Sequence, residues 1–371
     1  MGDRRLLAAV LVLMGTGIME SVQGCTGVRT ESVDGDYFRG RTMEFAVPLP
    51  SDVVVIPAGW SYTGTTPDGS PGKQWESKYP VVGANALGLP QVIDGVNGEG
   101  LSVALFYFAN FVEYQTPDSY ENALAPWEFS TWMLGSFATV EEVRESLDQV
   151  RVCAVVMEEF GELLGKPEGF VPPGHFLVMD SSGDCITIEH IGGEMIVTDN
   201  PTGILTNCPS FDWQLTNLSN YVNLSPLNAE PTEIAGLAVS PVSMGSGLLG
   251  IPGDFTAPSR FVRSAIFSGA TPPAESAREG VLQTFRLLHQ FDIPLGASRV
   301  RGTDDQTGPV YDTTLWSTVT DLSRSRYYFR TFQDSRIKMV DLNAMDLSGD
   351  NLHTYPMTAS EEDILDITGS F

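Results

Sequence analysis

Cys25 follows a segment with the features of a secretory signal peptide, and removal of that segment would make this cysteine the first residue of the mature chain. Arg4 and Arg5 supply the charged start, residues 6–19 form an apolar run, and small residues precede the cysteine. The run is too short for a stable membrane anchor. We therefore predict that residues 1–24 are a cleaved signal peptide and that the protein is secreted or periplasmic.

A cysteine at the start of a chain combines a nucleophile and a base in one residue. Its α-amino group has a pKa of about 7.7–8.0, far below that of a lysine, so a useful fraction is neutral near pH 7. The neutral amine accepts the thiol proton, directly or through water, and the thiolate attacks a carbonyl carbon. A thioester forms, and water activated by the same amine hydrolyses it. Such a site needs no histidine, but it needs groups that hold the amine in place.

Two other interpretations of Cys25 remain open. Residues 22–25 loosely resemble the lipidation sequence of lipoproteins, which would make the chain a lipid-anchored, non-catalytic binding protein. Gln23 fits that sequence poorly, and the strand-like segment after Cys25 is unlike a lipoprotein tether. Alternatively, cleavage occurs elsewhere and Cys25 is a buried core residue.

The other cysteines and the histidines form no recognisable site pattern. Cys153 and Cys185 lie in apolar runs and are expected to be buried, and an oxidising compartment would permit a disulfide between them. No spacing predicts a zinc site. A conventional Cys-His hydrolase would depend on one of four widely separated histidines, which are His175, His190, His289 and His353.

Composition and charge narrow the class of protein. Hydrophobic residues make up 42% of the 371 residues, as in an ordinary packed domain, whereas 47 acidic and 21 basic residues give a net charge of −26. Such a surface repels nucleic acid and anionic lipid, which argues against partners of either class. It suits a secreted protein in salt-rich water, where counterions screen the self-repulsion.

The rest of the chain alternates between strand-rich and helical stretches. Residues 28–30 and 37–39 predict a β-hairpin around the turn pair at 34–35. The segment 116–150 predicts two helices, the second of which begins with a capping box at Thr139. Further strands are predicted at 52–57, 101–108, 152–158, 175–180, 185–190, 194–198, 315–321, 327–331 and 337–342. Two more helices are predicted at 259–269 and 274–290, and loops at 57–72 and 239–258.

No internal repeat and no long linker divides the chain. Strands outnumber helices and show no βαβ rhythm, which predicts an α+β layered fold rather than a doubly wound sheet. Residues 25–371 are therefore expected to form a single domain.

Five short stretches occur in order along the mature chain. They are CTGV at 25–28, GRTME at 40–44, DGVNGEGL at 94–101, LTNCPSFDW at 205–213 and GDFTAPSRF at 253–261. Together they resemble the motifs of the choloylglycine hydrolase and penicillin V acylase family, which are N-terminal-nucleophile cysteine hydrolases. The first stretch begins at the same Cys25 that follows the predicted signal peptide.

The resemblance implies a role for each matching residue. Cys25 matches the nucleophile and base, and Arg41 matches the family arginine near the thiol, where a fixed cation favours the thiolate. Asn207 matches the asparagine that donates to the tetrahedral oxyanion. Arg260 matches an arginine that supports the charge balance of the site.

Two matching positions need separate comment. Glu44 falls where the family usually has an aspartate that orients the α-amine, so the charge is kept on a longer side chain. Tyr107 falls where bile-salt-selective members often carry asparagine and penicillin-V-selective members tyrosine. Its backbone N–H is expected to complete the oxyanion hole and its ring to shape the acyl pocket. Each residue also has a simpler interpretation, Glu44 as a solvated strand-end charge and Tyr107 as core.

The resemblance also implies the fold and the reaction. The fold is the αββα sandwich, with two antiparallel sheets between helical layers. The reaction is hydrolysis of a linear, non-peptide amide through a thioester on Cys25, without a metal or organic cofactor. Family substrates are small N-acyl amides, namely conjugated bile salts, penicillin V and long-chain acyl-homoserine lactones, and Tyr107 favours the last two. An aromatic-lined pocket is expected to bind the acyl half, and a homotetramer is predicted because family members are commonly tetramers.

Overall fold

The predicted hairpin at the start of the mature chain forms the first two strands of the structure. This computed structural model describes residues 24–166, 168–300, 310–349, 351–360 and 362–363. The predicted signal peptide lies outside the described residues except for Gly24, which is buried and leads into the first strand. Within the described residues, none of the helices has the length and apolar character that a membrane span requires.

Strands dominate the described part of the chain. In chain order they are β1 Cys25–Glu31, β2 Tyr37–Phe45, β3 Asp52–Ile56, β4 Ser61–Thr63, β5 Gln74–Glu76, β6 Val81–Asn85, β7 Val92–Asn97, β8 Ser102–Tyr107, β9 Ala123–Leu124, β10 Arg151–Val152, β11 Gly174–Met179, β12 Cys185–Ile191, β13 Glu194–Asp199, β14 Thr232–Ile234, β15 Leu237–Val239, β16 Ser298–Val300, β17 Val310–Asp321, β18 Arg326–Thr331, β19 Lys338–Asp341 and β20 His353–Pro356. The α-helices are α1 Phe129–Ser136, α2 Val140–Ser146, α3 Glu158–Leu163, α4 Phe211–Leu218, α5 Ala257–Ala270 and α6 Ala277–Leu288. Short 3₁₀ helices lie at Leu147–Gln149, Ser219–Tyr221, Ser246–Leu248, His289–Phe291 and Leu342–Ala344.

Two antiparallel sheets face each other. The first has the order β1-β2-β17-β18-β19, with β16 also paired to β17, and the second has the order β13-β12-β11-β8-β7-β6-β3-β20. Side chains from both sheets fill the space between them, among them Val55, Phe106, Leu177 and Trp316. Because side chains alternate along a strand, the other face of each sheet presents a second apolar surface.

Helices cover these outer surfaces. On the first sheet, α5 packs on β1, and α6 packs on β1, β2 and β17. Val28 and Phe38 there contact Phe285 and Leu288 of α6. On the second sheet, α1 packs on β7 and β8. The layers therefore run helix, sheet, sheet, helix, which confirms the predicted αββα sandwich.

Gly27 allows the first strand to approach the second sheet closely. A Cβ atom at this position would lie only 2.7 Å from Phe106 Cζ and 3.2 Å from Leu177 Cδ2. The Gly27 N–H also donates to Leu205 O at 2.7 Å. A side chain at Gly27 would push β1 away from both neighbours, so this glycine fixes where Cys25 stands relative to the 205–211 segment.

Several local predictions are confirmed and others are wrong. The Thr139 cap is confirmed, because its Oγ1 accepts from the Glu142 N–H at 3.1 Å. The two helices predicted in 116–150 are confirmed as α1 and α2, but the first begins only at Phe129, since prolines at 117 and 126 disfavour an earlier start. The strand predicted at 152–158 is wrong beyond its first residue, since α3 begins at Glu158.

Candidate active site

The predicted site residues lie where strand β8 separates from its neighbour β7. These strands pair only as far as Ala104. Beyond Ala104, β7 no longer pairs with β8. The β8 carbonyls on the side opposite β11 accept hydrogen bonds from side chains instead. Leu105 O accepts from Arg41 Nη1 at 3.0 Å, and Tyr107 O accepts from Asn207 Nδ2 at 2.8 Å. A local gap in the ladder thus anchors two of the predicted residues.

The thiol of Cys25 lies between the two sheets beside a buried arginine. Arg41 Nη2 is 3.2 Å from Sγ, and the Met43 Sδ atom lies 3.8 Å from Sγ. The Arg41 guanidinium is fully buried, and its central carbon lies 4.8 Å from the Phe106 ring centre and 5.0 Å from that of Trp316. Burial raises the pKa of the Cys25 thiol, and the Arg41 charge opposes that rise.

The nitrogen of Cys25 is bound by a different set of groups. Its N–H donates to Asn207 Oδ1 at 2.8 Å, and Arg260 Nη2 donates to the same oxygen at 2.7 Å. Arg260 Nη1 reaches the Cys25 carbonyl and, at 2.9 Å, Thr26 Oγ1. In this uncleaved chain the nitrogen is a peptide N–H, and the preceding Gly24 carbonyl accepts from the Glu44 N–H at 2.9 Å.

Glu44 carries a buried carboxyl group that is only half satisfied. Oε1 accepts from Thr314 Oγ1 at 3.0 Å, whereas Oε2 has no hydrogen-bond partner among the described residues. Burial raises the pKa of Glu44 to about 8; the Arg260 charge opposes the rise and Asp312 adds to it. Burial likewise raises the pKa of Asp312 to about 6. Two carboxyl groups thus lie in the electrostatic neighbourhood of Arg260, on the helix-facing side of the sheet.

An apolar pocket opens beside the thiol. Its lining residues are Cys25, Met43, Glu44, Phe45, Leu49, Ala86, Leu87, Leu89, Gln91, Ile93, Leu105, Tyr107, Trp127, Met157, Phe160, Pro172 and Pro173. Aromatic and aliphatic side chains form nearly the whole wall, as expected for an acyl-binding pocket.

The structure thus brings the six predicted residues together, Cys25, Arg41, Glu44, Tyr107, Asn207 and Arg260. Sequence reasoning missed Thr314 and Asp312 near Glu44 and Met43 near the thiol. It also missed most of the pocket wall. Pairing of β2 with β17 places Thr314 opposite Glu44, and no local motif signals such a long-range contact.

In the described part of the chain, the Cys25 thiol is hydrogen-bonded to neither a histidine nor another cysteine. All four histidines are in the described part of the chain, and the thiol of Cys25 has hydrogen-bonding contacts to Arg41 and Met43 but to none of them. All four cysteines are free thiols. Within the described ranges, no group of three or more His, Cys, Asp or Glu side chains is placed to hold a metal ion.

The arrangement can support nucleophilic attack on a carbonyl carbon. The thiol faces the pocket and a fixed cation, which favours its ionised form. The Asn207 amide has two N–H groups, and donation to Tyr107 O uses one of them. The Phe108 N–H donates to Pro173 O, on the β11 side of β8. Because successive N–H groups point to opposite edges of a strand, the Tyr107 N–H points to the other edge, where Arg41 and Asn207 lie.

Known proteins resemble this chain over most of its length. A bile salt hydrolase/transferase from Clostridium perfringens is 28% identical over 334 residues, covering 89% of this chain and 96% of that protein. A penicillin V acylase from Pectobacterium atrosepticum is 27% identical over 354 residues, covering 92% and 86%. A crystal structure of a variant of conjugated bile acid hydrolase from Clostridium perfringens has a TM-score of 0.79 at 26% identity, covering 93% of this chain and 100% of that one.

The family model for linear amide C–N hydrolases, choloylglycine hydrolase family, matches residues 25–355. The match begins at the cysteine that holds the candidate nucleophile and extends over nearly all of the described chain. The chain therefore belongs to the choloylglycine hydrolase family of linear amide C–N hydrolases.

Proposed function

We propose that removal of residues 1–24 turns Cys25 into the N-terminal nucleophile of a secreted amidohydrolase that acts on small N-acyl amides. One observation carries this proposal. Cys25 directs its thiol to Arg41 and the apolar pocket, while its nitrogen donates to Asn207 Oδ1, which also accepts from Arg260. Cleavage would turn that nitrogen into an amine already placed among the groups that can orient it.

In the acylation step, the freed amine accepts the thiol proton and Sγ attacks the amide carbon. The S–C bond forms, and negative charge collects on the former carbonyl oxygen. The second N–H of Asn207 and the N–H of Tyr107 stabilise that charge. The C–N bond then breaks, the amine product leaves with the proton held by the α-amine, and a thioester on Cys25 remains.

In the deacylation step, water enters the position that the amine product has left. The α-amine removes a proton from this water, and the hydroxide attacks the thioester carbon. The same two donors stabilise the second oxyanion. The S–C bond breaks, the acid product leaves, and the thiol is restored.

The pocket wall favours an acyl group that has no polar substituents. Besides the nucleophile, four of its lining residues carry polar side-chain groups, namely Glu44, Gln91, Tyr107 and Trp127. A hydroxylated steroid would find few partners for its hydroxyls on such a wall, and each unpaired buried hydroxyl costs about 1–3 kcal/mol. We therefore place phenoxyacetyl amides such as penicillin V and long-chain acyl-homoserine lactones ahead of conjugated bile salts.

The alternative of a lipid-anchored binding protein fits the contacts less well. Cys25 is only 3% exposed and Gly24 is buried. A lipid on Sγ would have to displace Arg41 and fill the pocket from within. A mature protein whose intact mass shows an unmodified Cys25 at the N-terminus would exclude this alternative.

Amine release by that mature protein tests the function. The panel holds penicillin V, glycocholate, taurocholate and a long-chain acyl-homoserine lactone, and Cys25→Ala is the inactive control. We expect release from the first and last substrates at the higher kcat/KM and a trapped acyl-enzyme mass on rapid quenching. Activity that survives Cys25→Ala would refute the mechanism.

One exposed apolar segment is a candidate for the contact between subunits of the predicted homotetramer. Large apolar side chains are exposed along 222–249, and Val242 and Met244 are 101% and 86% exposed. Contiguous exposed apolar residues mark association surfaces in soluble proteins. We therefore propose that this segment, which includes the β14-β15 hairpin, contacts a second copy of the chain.

A further inference from the structure

His175 and Glu189 form a buried pair that takes no part in the reaction steps above. They lie on the neighbouring strands β11 and β12, with His175 fully buried and Glu189 3% exposed. His175 Nδ1 is 3.1 Å from Glu189 Oε1, and the imidazole stacks on Phe108 with ring centres 4.3 Å apart. Burying two ionisable groups is costly unless each finds partners. The other hydrogen-bond partners of His175 and Glu189 therefore indicate what the pair does.

The pair holds both ends of the loop that carries Asn207. His175 Nε2 is 3.1 Å from Thr206 O. A carbonyl oxygen only accepts, so Nε2 carries a proton and donates it. At the other end of the loop, the Phe211 N–H donates to both carboxyl oxygens of Glu189, at 3.0 and 3.2 Å. One buried pair thus fastens the first and last residues of 206–211.

The Thr206 carbonyl matters because it belongs to the peptide unit that ends at the Asn207 nitrogen. A peptide unit is planar, so holding Thr206 O fixes the plane from which the Asn207 side chain departs. A donor to an oxyanion is effective when its direction is set before the charge develops. The hydrogen bond from His175 therefore bears on the direction of the Asn207 amide.

We infer that His175 and Glu189 are positioning residues for the oxyanion donor Asn207. This inference rests on the proposed function, because it assumes that Asn207 stabilises the tetrahedral intermediate. The two residues act through the loop backbone and do not touch the substrate. Their loss should weaken binding of a tetrahedral adduct more than it changes the reactivity of the thiol.

His190 provides a matched control one residue after Glu189. It is also fully buried, but neither ring nitrogen has a hydrogen-bond partner among the described residues. Its ring packs against Tyr114, Phe129 and Phe176, and burial lowers its pKa to about 3. Replacing it by phenylalanine should change packing without touching the 206–211 loop.

Two reagents separate donor geometry from thiol reactivity in the mature enzyme. Phenoxyacetaldehyde and decanal add Cys25 Sγ to the aldehyde carbon, and the thiol proton passes to the new hemithioacetal oxygen, which occupies the oxyanion position. The free α-amine of Cys25 can then displace this oxygen as water and close a thiazolidine ring. Aldehyde affinity is therefore taken from inhibition at first mixing, and intact mass checks that no ring has formed. Iodoacetamide alkylates the same sulfur with loss of iodide and creates no oxyanion. The variants are His175→Phe, Glu189→Leu and Glu189→Gln, with His190→Phe and Asn207→Ala for comparison.

We expect His175→Phe and Glu189→Leu to weaken aldehyde affinity about tenfold to a hundredfold, as a displaced oxyanion donor would. Their iodoacetamide rates should fall by much less than the aldehyde affinity does. Glu189→Gln should keep wild-type aldehyde affinity, because its amide can accept from Phe211 N–H and donate to Nδ1 of a neutral ring. If His175→Phe does not fold, the comparison of Glu189→Leu with Glu189→Gln still tests the inference.

Three results would overturn the inference. His175→Phe and Glu189→Leu could leave aldehyde affinity at the wild-type value, or change aldehyde and iodoacetamide reactions equally. His190→Phe could weaken aldehyde affinity as much as they do, which would point to packing alone. If Asn207→Ala itself leaves aldehyde affinity intact, the oxyanion assignment of the proposed function fails, and the inference fails with it for a separately identified reason.

Discussion

Glu44→Gln should have opposite effects before and after the proposed cleavage that frees Cys25. In the uncleaved chain, burial raises the pKa of Glu44 from 4.5 to about 8. The folded chain therefore holds this proton more tightly than the unfolded chain, and the free energy of unfolding falls as pH rises from about 4.5 to 8. At about 1.4 kcal/mol for each pH unit, the loss is on the order of 5 kcal/mol as an upper bound. Glutamine stays neutral, so the substitution should remove this decline.

In the mature chain, the α-ammonium of Cys25 should supply the partner that Glu44 Oε2 lacks. An adjacent positive charge lowers the pKa of a carboxyl group. The fall in the free energy of unfolding with rising pH should therefore become smaller or change sign. Glu44→Gln then deletes an ion pair instead of a costly buried charge, and it should destabilise the fold near neutral pH. The same substitution should also reduce kcat, because the amine loses the group that orients it.

The assay is denaturant unfolding between about pH 5 and pH 8, the window in which the carboxyl titrates. It compares a chain that keeps residues 20–24 with one that begins at Cys25, each confirmed by intact mass. Glu128→Gln is the matched control, because Glu128 is a buried carboxyl whose pKa is also raised by burial and whose partners are Thr65 and Ala125. Its effect should be equal in both chains. An equal effect of Glu44→Gln in both chains would refute the placement of Glu44 beside the amine.

The thiol, the pocket wall and the exposed apolar segment each give one further prediction. Arg41→Gln removes the cation 3.2 Å from Sγ and should move the pH profile of Cys25 alkylation upward by about one to three pH units; an unmoved profile would contradict the role of Arg41. Trp127→Ala deletes part of the pocket wall and should raise KM for apolar acyl amides about tenfold while kcat changes little; a kcat loss alone would mean that the acyl group binds elsewhere. Replacing Val242 and Met244 by aspartate should reduce the oligomer measured by light scattering, and an unchanged mass would exclude this segment as the contact.

Five of the six candidate site residues could be picked out from the sequence because each lies in a short contiguous motif, whereas Tyr107 lies outside the five motifs. CTG, GRTME and LTNCP carry Cys25, Arg41 and Asn207 with their immediate neighbours, and the sequence alone displays such motifs. Thr314 could not be found in this way. Its contact with Glu44 spans 270 residues and depends on the β2-β17 register, which includes a bulge between Thr314 and Trp316.

The fold shows the same division between local and long-range information. The first hairpin was predictable because its turn and alternation are local. Helix α4 was missed because eight residues give too few turns for a periodic pattern, even though Phe211 and Leu215 are one turn apart. The pocket wall was not predictable, because its residues come from separate segments that only the assembled sheets bring together.

Because β8 separates from β7, the main-chain carbonyl of Tyr107 is available to Asn207, and the same residue also forms part of the pocket wall. Any amino acid except proline at position 107 supplies the same carbonyl and N–H, so under the proposed mechanism a single codon change there would alter the acyl preference and keep both backbone groups. Substrate range and turnover are thereby separable in this scaffold, and a saturation library at one position is enough to explore the first while leaving the second intact.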